Sequence, residues 1–486
     1  MDRQEPLAYI HRSGKLTKVE RIEKDAVKFA LGGQFYGKKT DFADKLLARL
    51  QKSGISLYTV EGVDHPVLFY SAIVIQIKSN ASLRDVLDLV NAPTSMKITE
   101  LCFARKTYLL HNFRSPEQAG HVCNFIEERN FVDDTLIVFA ELQYSPTPTE
   151  CLIDVAYSEK ENIIDLPDET YIFTLGLNGL SPKDKTIEGN SIAVIDSGFY
   201  EMDSITWPPV NNNISGFFDG TGSFHQEPKK IPHRGHGIMC SELVMKAASR
   251  NNVILLASAD RYNFAPPIAV AIAIAYSARH DCLSEWPGGA DVVVCSLRDS
   301  DTRLGAGRRS IQLAVEYANN YGREGKGTPV FWAAADYSSS GEISSLPEVI
   351  AVGATDQQGN GSVGTRDNNE MDFSAPGKAI TIDRYTGTGT SFAAPLAAGL
   401  AARILSNYPD LNHLELRAIL RLTCVKLKGY DYVNDRSSQI GYGLLNYPAA
   451  LELAGQYDRK ERPYVDRVNA MVCQIQTDLN ANCQPT

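Results

Sequence analysis

What the 486-residue chain lacks narrows its class first. It has no apolar run long enough to span a bilayer, and Met1 to Lys15, with Asp2, Arg3, Glu5 and His11, has no hydrophobic stretch of signal-peptide length. A soluble, non-secreted, cytoplasmic protein with no membrane partner is the expectation. Positive charge is not in excess: 48 Lys and Arg face 58 Asp and Glu, a net charge of −10. An acidic chain is repelled by phosphate backbones, which argues against nucleic acid as a partner. The nine cysteines include no CxxC pair and are odd in number, which fits reduced thiols better than a disulfide framework or a zinc site. No complete phosphate-binding glycine loop stands in the strand-to-helix context that a nucleotide site needs. What is present is ordinary globular usage, 43% hydrophobic and 22% charged, enough for a packed core.

The length allows two or three domains. From Phe69 to Leu142 the pattern reads strand, helix, strand, strand, helix, strand. Phe69–Ile77 is rich in β-branched and aromatic residues, and Leu83, Val86, Leu87 and Val90 recur at helical spacing. Lys97–Phe103 and Thr107–Leu110 read as short strands. Ser115, Pro116 and Gln118 form a helix-start signature, and Thr135–Leu142 reads as a strand. That order predicts a ferredoxin-like α+β module over residues 1–147, with a further amphipathic helix around Asp41–Leu50. The two prolines of Tyr144–Glu150 predict an extended, exposed linker, continuing as a connecting region over 148–165. Continuous apolar strands then alternate with helices, as in a parallel sheet covered on both faces; this α/β domain is placed at 166–456. A polar tail, 457–486, carries Val465, Val468, Val472 and Ile475 at helical spacing, as a short packed helix or a loose end.

Three segments carry chemistry. Asp196 ends the apolar strand Ser191–Asp196, and strand C-terminal ends of parallel sheets are where reactive groups gather, although a lone Asp-x-Gly more often caps a turn. His236 opens a stretch with Ile238, Met239, Leu243, Ala247 and Ala248 on one stripe, placing it at the N-terminal end of a buried helix. Ser391 follows the small-residue turn Gly387-Thr-Gly-Thr and opens another apolar helix, whose free N–H groups and positive dipole end favour a developing oxyanion. Asp, then His, then Ser, each at an element end of one α/β domain, is one of the chain orders of a serine-protease triad.

The segments AVIDSG, GHGIMCSEL and GTGTSFAAPLAAGL resemble the three signature blocks of the subtilase superfamily, the subtilisin and kexin-like proteases of peptidase family S8. The resemblance implies a subtilisin-like doubly wound parallel sheet with helices on both faces. It also implies a serine endopeptidase with Asp196 orienting, His236 as general base and Ser391 as nucleophile; His233 fits the histidine block less well. Asp291–Leu297 resembles the family strand that pairs with substrate backbone, making Ser296 and Leu297 substrate-binding candidates. Val330–Asp336 resembles the strand that leads to the oxyanion site, with Ala334 on the substrate side; Gly341 is a candidate floor of the first specificity pocket. The likeness spans about Leu166 to Leu453.

Two departures stand out. The family's oxyanion asparagine is replaced by Asp336, or by Tyr337 if the register is one residue off. An ionised carboxylate there repels the oxyanion, unless desolvation keeps it protonated. Thr390 and the Ser391 N–H are the other candidate donors. Arg298 stands where the family has glycine, and it points to an acidic substrate side chain, whereas Glu342 beside Gly341 points to a basic one. The N-terminal module resembles the family's propeptide, which implies a zymogen held by its own N-terminal domain as intramolecular inhibitor and cut between about Leu142 and Asp165. Cofactors are expected to be none: family members often hold structural calcium, but no compact acidic loop is present. The competing reading is a catalytically weakened subtilase-fold binding protein, with Asp336 as the lesion.

Overall fold

The computed structural model describes residues 7–12, 15–22, 56–61, 67–132, 136–146, 174–175, 191–196, 215–218, 221–225, 236–248, 252–257, 267–278, 289–297, 308–334, 343–358, 371–378, 380–382 and 385–482. The expected helix around Asp41–Leu50 and the connecting region 148–165 lie outside these residues. So do His233, Arg298, Asp336, Tyr337, Gly341 and Glu342.

The N-terminal part is one seven-stranded antiparallel sheet built on β4 (Val67–Ile77). One edge of β4 is shared by two strands. Its first residues, Val67–Phe69, pair with β3 (Ser56–Val60), and Ala72–Gln76 pair with β6 (Thr107–His111). Beyond β3 lie β2 (Lys15–Arg21) and β1 (Tyr9–Arg12), and beyond β6 lies β5 (Lys97–Glu100). The other edge carries β7 (Ile137–Pro146). The helices are α1 (Leu83–Leu89), capped by the Ser82 hydroxyl at Asp85 N, and α2 (Pro116–Val132). From β4 onward the strand order β7-β4-β6-β5 is that of a βαββαβ unit, with β1–β3 as an added meander.

The exposed linker expected from Tyr144 onward begins later than the prolines suggested. Strand β7 continues to Pro146, pairing Tyr144–Pro146 with Val67–Phe69, and Tyr144 is buried with its ring 5.5 Å from that of Phe69. Pro146 ends the strand as the terminal residue, where a missing N–H costs little.

The second part is an eight-stranded sheet in the order β10-β9-β11-β8-β12-β13-β14-β15. Its strands are β8 (Ser191–Asp196), β9 (Gly216–Phe218), β10 (Phe224–His225), β11 (Asn252–Ala257), β12 (Val292–Cys295), β13 (Val330–Ala333), β14 (Ile350–Thr355) and β15 (Phe373–Pro376). All neighbours run parallel except the β9–β10 pair. Phe373–Pro376 forms the edge strand, all four residues buried, although nothing in the sequence marks it as one. The short hairpin pair β9 and β10, which carries Gly216 at a close approach to the Phe224 ring, was not foreseen either.

Alternate side chains of the central strands feed two cores, as the period of a strand requires. Ile192, Val194, Val292 and Val294 face α3 (His236–Ala248) and α6 (Thr390–Asn407), while Ala193, Ile195, Val293 and Cys295 face α4 (Pro267–Ser277) and α5 (Arg308–Tyr321). Fully burying the valine and isoleucine side chains among them stabilises by roughly 1.5–3 kcal/mol each. The second core continues into the N-terminal sheet through Ala72, Val74, Leu101, Phe103 and Leu109, so the two parts share one apolar layer. The first core takes up α7 (His413–Leu422), α8 (Tyr447–Asp458) and α9 (Arg462–Asn482). The C-terminal segment is therefore no loose end or short helix: α9 runs 21 residues and buries Val468, Met471 and Ile475.

Candidate active site

The sheet fixes the acid, and two crossing helices fix the other two groups. Asp196 closes β8 at the carboxyl end of a central strand, flanked by β11 and β12. His236 is the first residue of α3, and Ser391 lies in the first turn of α6. The helices approach closely at Gly399, where an added Cβ would stand 2.6 Å from Val244 O and 2.7 Å from the Ala247 Cβ. At the start of α6, Gly389 holds φ +155°, and its N–H donates to Gly377 O at 2.8 Å. A β-carbon disfavours that conformation.

These elements bring the three sequence candidates into one chain of hydrogen bonds. His236 Nδ1 lies 2.9 and 3.0 Å from the two carboxylate oxygens of Asp196, and Nε2 lies 2.9 Å from Ser391 Oγ. With a carboxylate facing Nδ1, that nitrogen carries the proton and Nε2 is left to accept from the serine hydroxyl. Asp196 is 1% exposed and His236 15%. Burial, the largest influence on His236, works against the imidazolium, but the Asp196 charge and the neighbouring Cys240 outweigh it, raising its pKa well above 6.5. The Phe392 ring stands edge-on to the imidazole at 5.7 Å.

Cys240, one helical turn after His236, was not singled out by the sequence reading. Its sulfur sits 3.7 Å from Nδ1 and 4.0 Å from Nε2 of His236, and its S–H donates to Ser391 O at 3.4 Å. The reason lies in Pro395: a proline has no N–H, so the carbonyl four residues earlier, that of Ser391, has no helical partner. The thiol of α3 fills that vacancy from across the helix pair. Burial pushes the thiol up to about 11. The spacing His236-x-x-x-Cys240 was the available signal, since residues four apart share a helix face.

The remaining candidates divide. Ala334 and Thr390 meet: the Thr390 hydroxyl donates to Ala334 O, and Ala334 N donates to Val352 O at 2.9 Å. This corrects the expectation for Thr390, whose single hydroxyl proton is directed at a backbone carbonyl and not toward an oxyanion. Ser296 is buried just past β12, and Leu297, half-buried, packs against the second core. Among the described residues the one group of three His, Cys, Asp or Glu side chains close enough to share a metal ion is Asp196, His236 and Cys240, with ligand atoms within 4.8 Å of one another. A thiol and an imidazole do not fit calcium, which takes oxygen ligands.

The N-terminal sheet docks on the two helices opposite this site. Gln143 of β7 is fully buried, and its Oε1 accepts from Ile268 N, an otherwise unpaired donor in the first turn of α4, at 3.0 Å. Two residues earlier on the same strand face, Glu141 accepts from the Ser310 hydroxyl in the first turn of α5. The carboxylate thereby sits at a positive helix end.

Fold and site define a class, and the comparisons agree with it. The subtilase family (peptidase S8) model matches residues 188–443. The chain belongs to the subtilase family. It is 30% identical over 260 residues to the thermophilic serine proteinase of Bacillus sp. (strain AK1), covering 50% of this chain and 59% of that protein. To the calcium-dependent protease of Trichormus variabilis it is 33% identical over 214 residues, 34% of this chain and 32% of that one. The chain thus spans about a third to three-fifths of the length of these relatives. In fold it is similar to fervidolysin from Fervidobacterium pennivorans, with a TM-score of 0.53 at 15% identity, over 79% of this chain and 61% of that one. It is likewise similar to the epidermin leader peptide processing serine protease EpiP from Staphylococcus aureus, with a TM-score of 0.53 at 18% identity, over 79% of this chain and 98% of that one.

Proposed function

We propose that the protein is a serine endopeptidase acting through an acyl-enzyme, and that its N-terminal domain acts as an intramolecular inhibitor and folding partner. The observation that carries the chemistry is the continuous Asp196–His236–Ser391 chain. Ser391 Oγ attacks the peptide carbonyl while Nε2 takes its proton; the imidazolium, stabilised by Asp196, returns that proton to the leaving amine. Water then repeats the sequence against the ester. The Ser391 N–H, at the free start of α6, is an oxyanion donor in this reading, with Asp336 at the second donor position. Ser296, Leu297, Arg298, Ala334 and Gly341 would line the peptide cleft.

Docking of β7 on α4 and α5 supports the regulatory part, because it buries a glutamine and half-buries a carboxylate that the separated domain would expose. Since β7 is paired through Pro146, cleavage that frees the catalytic part belongs at about 147–165, after the strand. A reduced, cytoplasmic setting is in keeping with the free thiols of Cys123, Cys240, Cys295, Cys424 and Cys473; no helix of the described residues is long and apolar enough to cross a membrane.

The test is intact mass and fluorophosphonate labelling of the wild type beside Ser391→Ala. A wild type that is labelled and cut, with an uncut and unlabelled variant, is the expected result. Folded wild type that neither labels nor hydrolyses any peptide would overturn the assignment.

A further inference from the structure

We infer that the outer face of α4 is a permanent seat for the N-terminal domain, so that the working protease is a two-chain complex that keeps this domain after the connecting region is cut. The inference rests on the proposed protease function for the cut, and on α4 for why the pieces stay together. All eleven residues of α4 are buried, and from Pro267 to Ala275 none has a polar side chain. Tyr276 lies 5.4 Å from both the Phe218 and the Phe224 ring, and the Ser277 hydroxyl donates to Ala273 O at 2.7 Å. A helix that is apolar all round belongs inside a protein. Its neighbour α5, on the same side of the sheet, is built differently: Arg308, Arg309, Gln312, Glu316 and Asn320 are half-buried or exposed and give it a wetted face.

The N-terminal sheet meets α4 with a surface of the same kind. Along β4, Ile73, Ile75 and Ile77 pack into the domain's own core with Val86, Val122 and Ile126 of α1 and α2. Ala72 and Val74, with Leu109, Leu101 and Phe103, instead belong to the core that holds Ile268 and Ile272. An antiparallel sheet commonly keeps one face in water; from Ala72 to Ile75 both faces of β4 are apolar. At Gly222, where φ is +76°, an added Cβ would stand 2.8 Å from Ile272 Cδ1 and 3.8 Å from Leu109 Cδ2, so the tip between β9 and β10, α4 and β6 converge there. Separation would wet both apolar surfaces at once. That is the character of an obligate interface, which resembles a core cut in half, and not of partners that come and go. Activity does not require departure either. The domain lies on the side of the sheet away from α3 and α6, which carry His236 and Ser391, and His236 is 15% exposed with the domain in place. Inhibition therefore ends with the cut in the connecting region and not with loss of the domain.

The test is gel filtration of the full wild-type chain after self-cleavage, with intact mass, fluorophosphonate labelling and peptide hydrolysis read on each fraction. Both fragments are expected in one peak in equal amounts. At a chain concentration of roughly 0.1 µM, about nine-tenths or more of the N-terminal fragment should remain in that peak, as for a dissociation constant of ~1 nM or below. The same peak should carry the label and the hydrolytic activity. Label or hydrolysis confined to fractions that lack the N-terminal fragment would overturn the inference, as would a soluble catalytic fragment that elutes alone. In Ser391→Ala, a recognition sequence for an external protease placed within 148–165 yields the two fragments without self-cleavage. Their separation in native buffer would overturn the permanent seat whatever the wild type does. Their co-elution, beside a wild type that neither labels nor hydrolyses, would sink the protease reading and uphold the interface.

Discussion

Removing Gln143 and Glu141 probes how the N-terminal domain is held, and the contacts give the size of the effect. With Gln143→Ala, the Ile268 N–H in a fully buried setting loses its acceptor, and an unpaired buried donor costs about 1–3 kcal/mol. With Glu141→Ala, the Ser310 hydroxyl loses a charged acceptor at the start of α5, about 1–2 kcal/mol more. The apolar layer of Val74, Leu101, Phe103 and Leu109 against Ile268 and Ile272 is untouched, so the domain still docks, but less firmly. Together the two changes should weaken docking by about 2–5 kcal/mol, roughly 30- to 4000-fold in the docking constant. The assay is amide hydrogen exchange over 267–271 in the full chain carrying Ser391→Ala, which keeps the connecting region uncut. Faster exchange of the Ile268 amide, by tenfold or more, is expected in the double variant. With Ser391 intact, fluorophosphonate labelling of uncut chain should speed up in parallel. Unchanged exchange in this segment would refute the idea that these two side chains clamp the domain.

Other expectations concern the site and its frame. Because His236 must be neutral to accept the Ser391 proton and its pKa is raised by Asp196 against burial, kcat/KM should fall as pH drops through a value above 6.5; an acidic limb at or below 6.5 in a pH profile would contradict this. Asp372, fully buried, accepts from Arg417 at 2.7 and 2.8 Å, from Arg421 at 2.6 Å and from Ala351 N at 3.0 Å. Asp372→Asn leaves two buried guanidiniums undercompensated, and a loss of about 3–5 kcal/mol is expected by chemical denaturation. Burial alone would raise the Asp372 pKa, but the two arginines bring it down to about 2. The stability it contributes is present above its ordinary 3.8 and lost as pH falls through about 2, which acid unfolding of wild type and variant would read. Asp336→Asn, supplying an amide donor for the oxyanion, should raise kcat; an equal or lower kcat at all pH values would count against position 336 as the oxyanion residue.

The parallel sheet and the N-terminal unit were legible because their information is local and periodic. Val292–Cys295 and Val330–Ala333 are apolar without interruption because both faces are covered, and β8 announced its end with a carboxylate in an apolar run. What escaped was set by partners distant in sequence. Phe373–Pro376 is a strand because β14 pairs with it and Gly443 O and Gly377 bracket it, and nothing in four residues ending in proline says so. Tyr144–Pro146 reads as linker from its composition, yet Val67–Phe69, more than seventy residues earlier, makes it sheet. The long α9 was understated because its apolar positions are sparse and gain their meaning only against Leu416, Leu420 and Tyr457.

At the site, the same division separates identity from geometry. Asp196, His236 and Ser391 could be read from their positions at element ends, whereas Thr390 could not: its residue type allows a donor to an oxyanion, and only the position of Ala334 O decides where the hydroxyl points. Cys240 is the sharper case. Its neighbours in sequence mark it as one more small buried residue on the inner face of α3. Its role appears only when Pro395, on another helix and 155 residues away, is seen to strip the Ser391 carbonyl of its helical donor. A proline placed to loosen the first turn of α6 therefore calls for a donor from outside, and a thiol supplies it while standing within reach of the His236 imidazole. Sulfur in that place satisfies a carbonyl that valine at position 240 would leave unpaired.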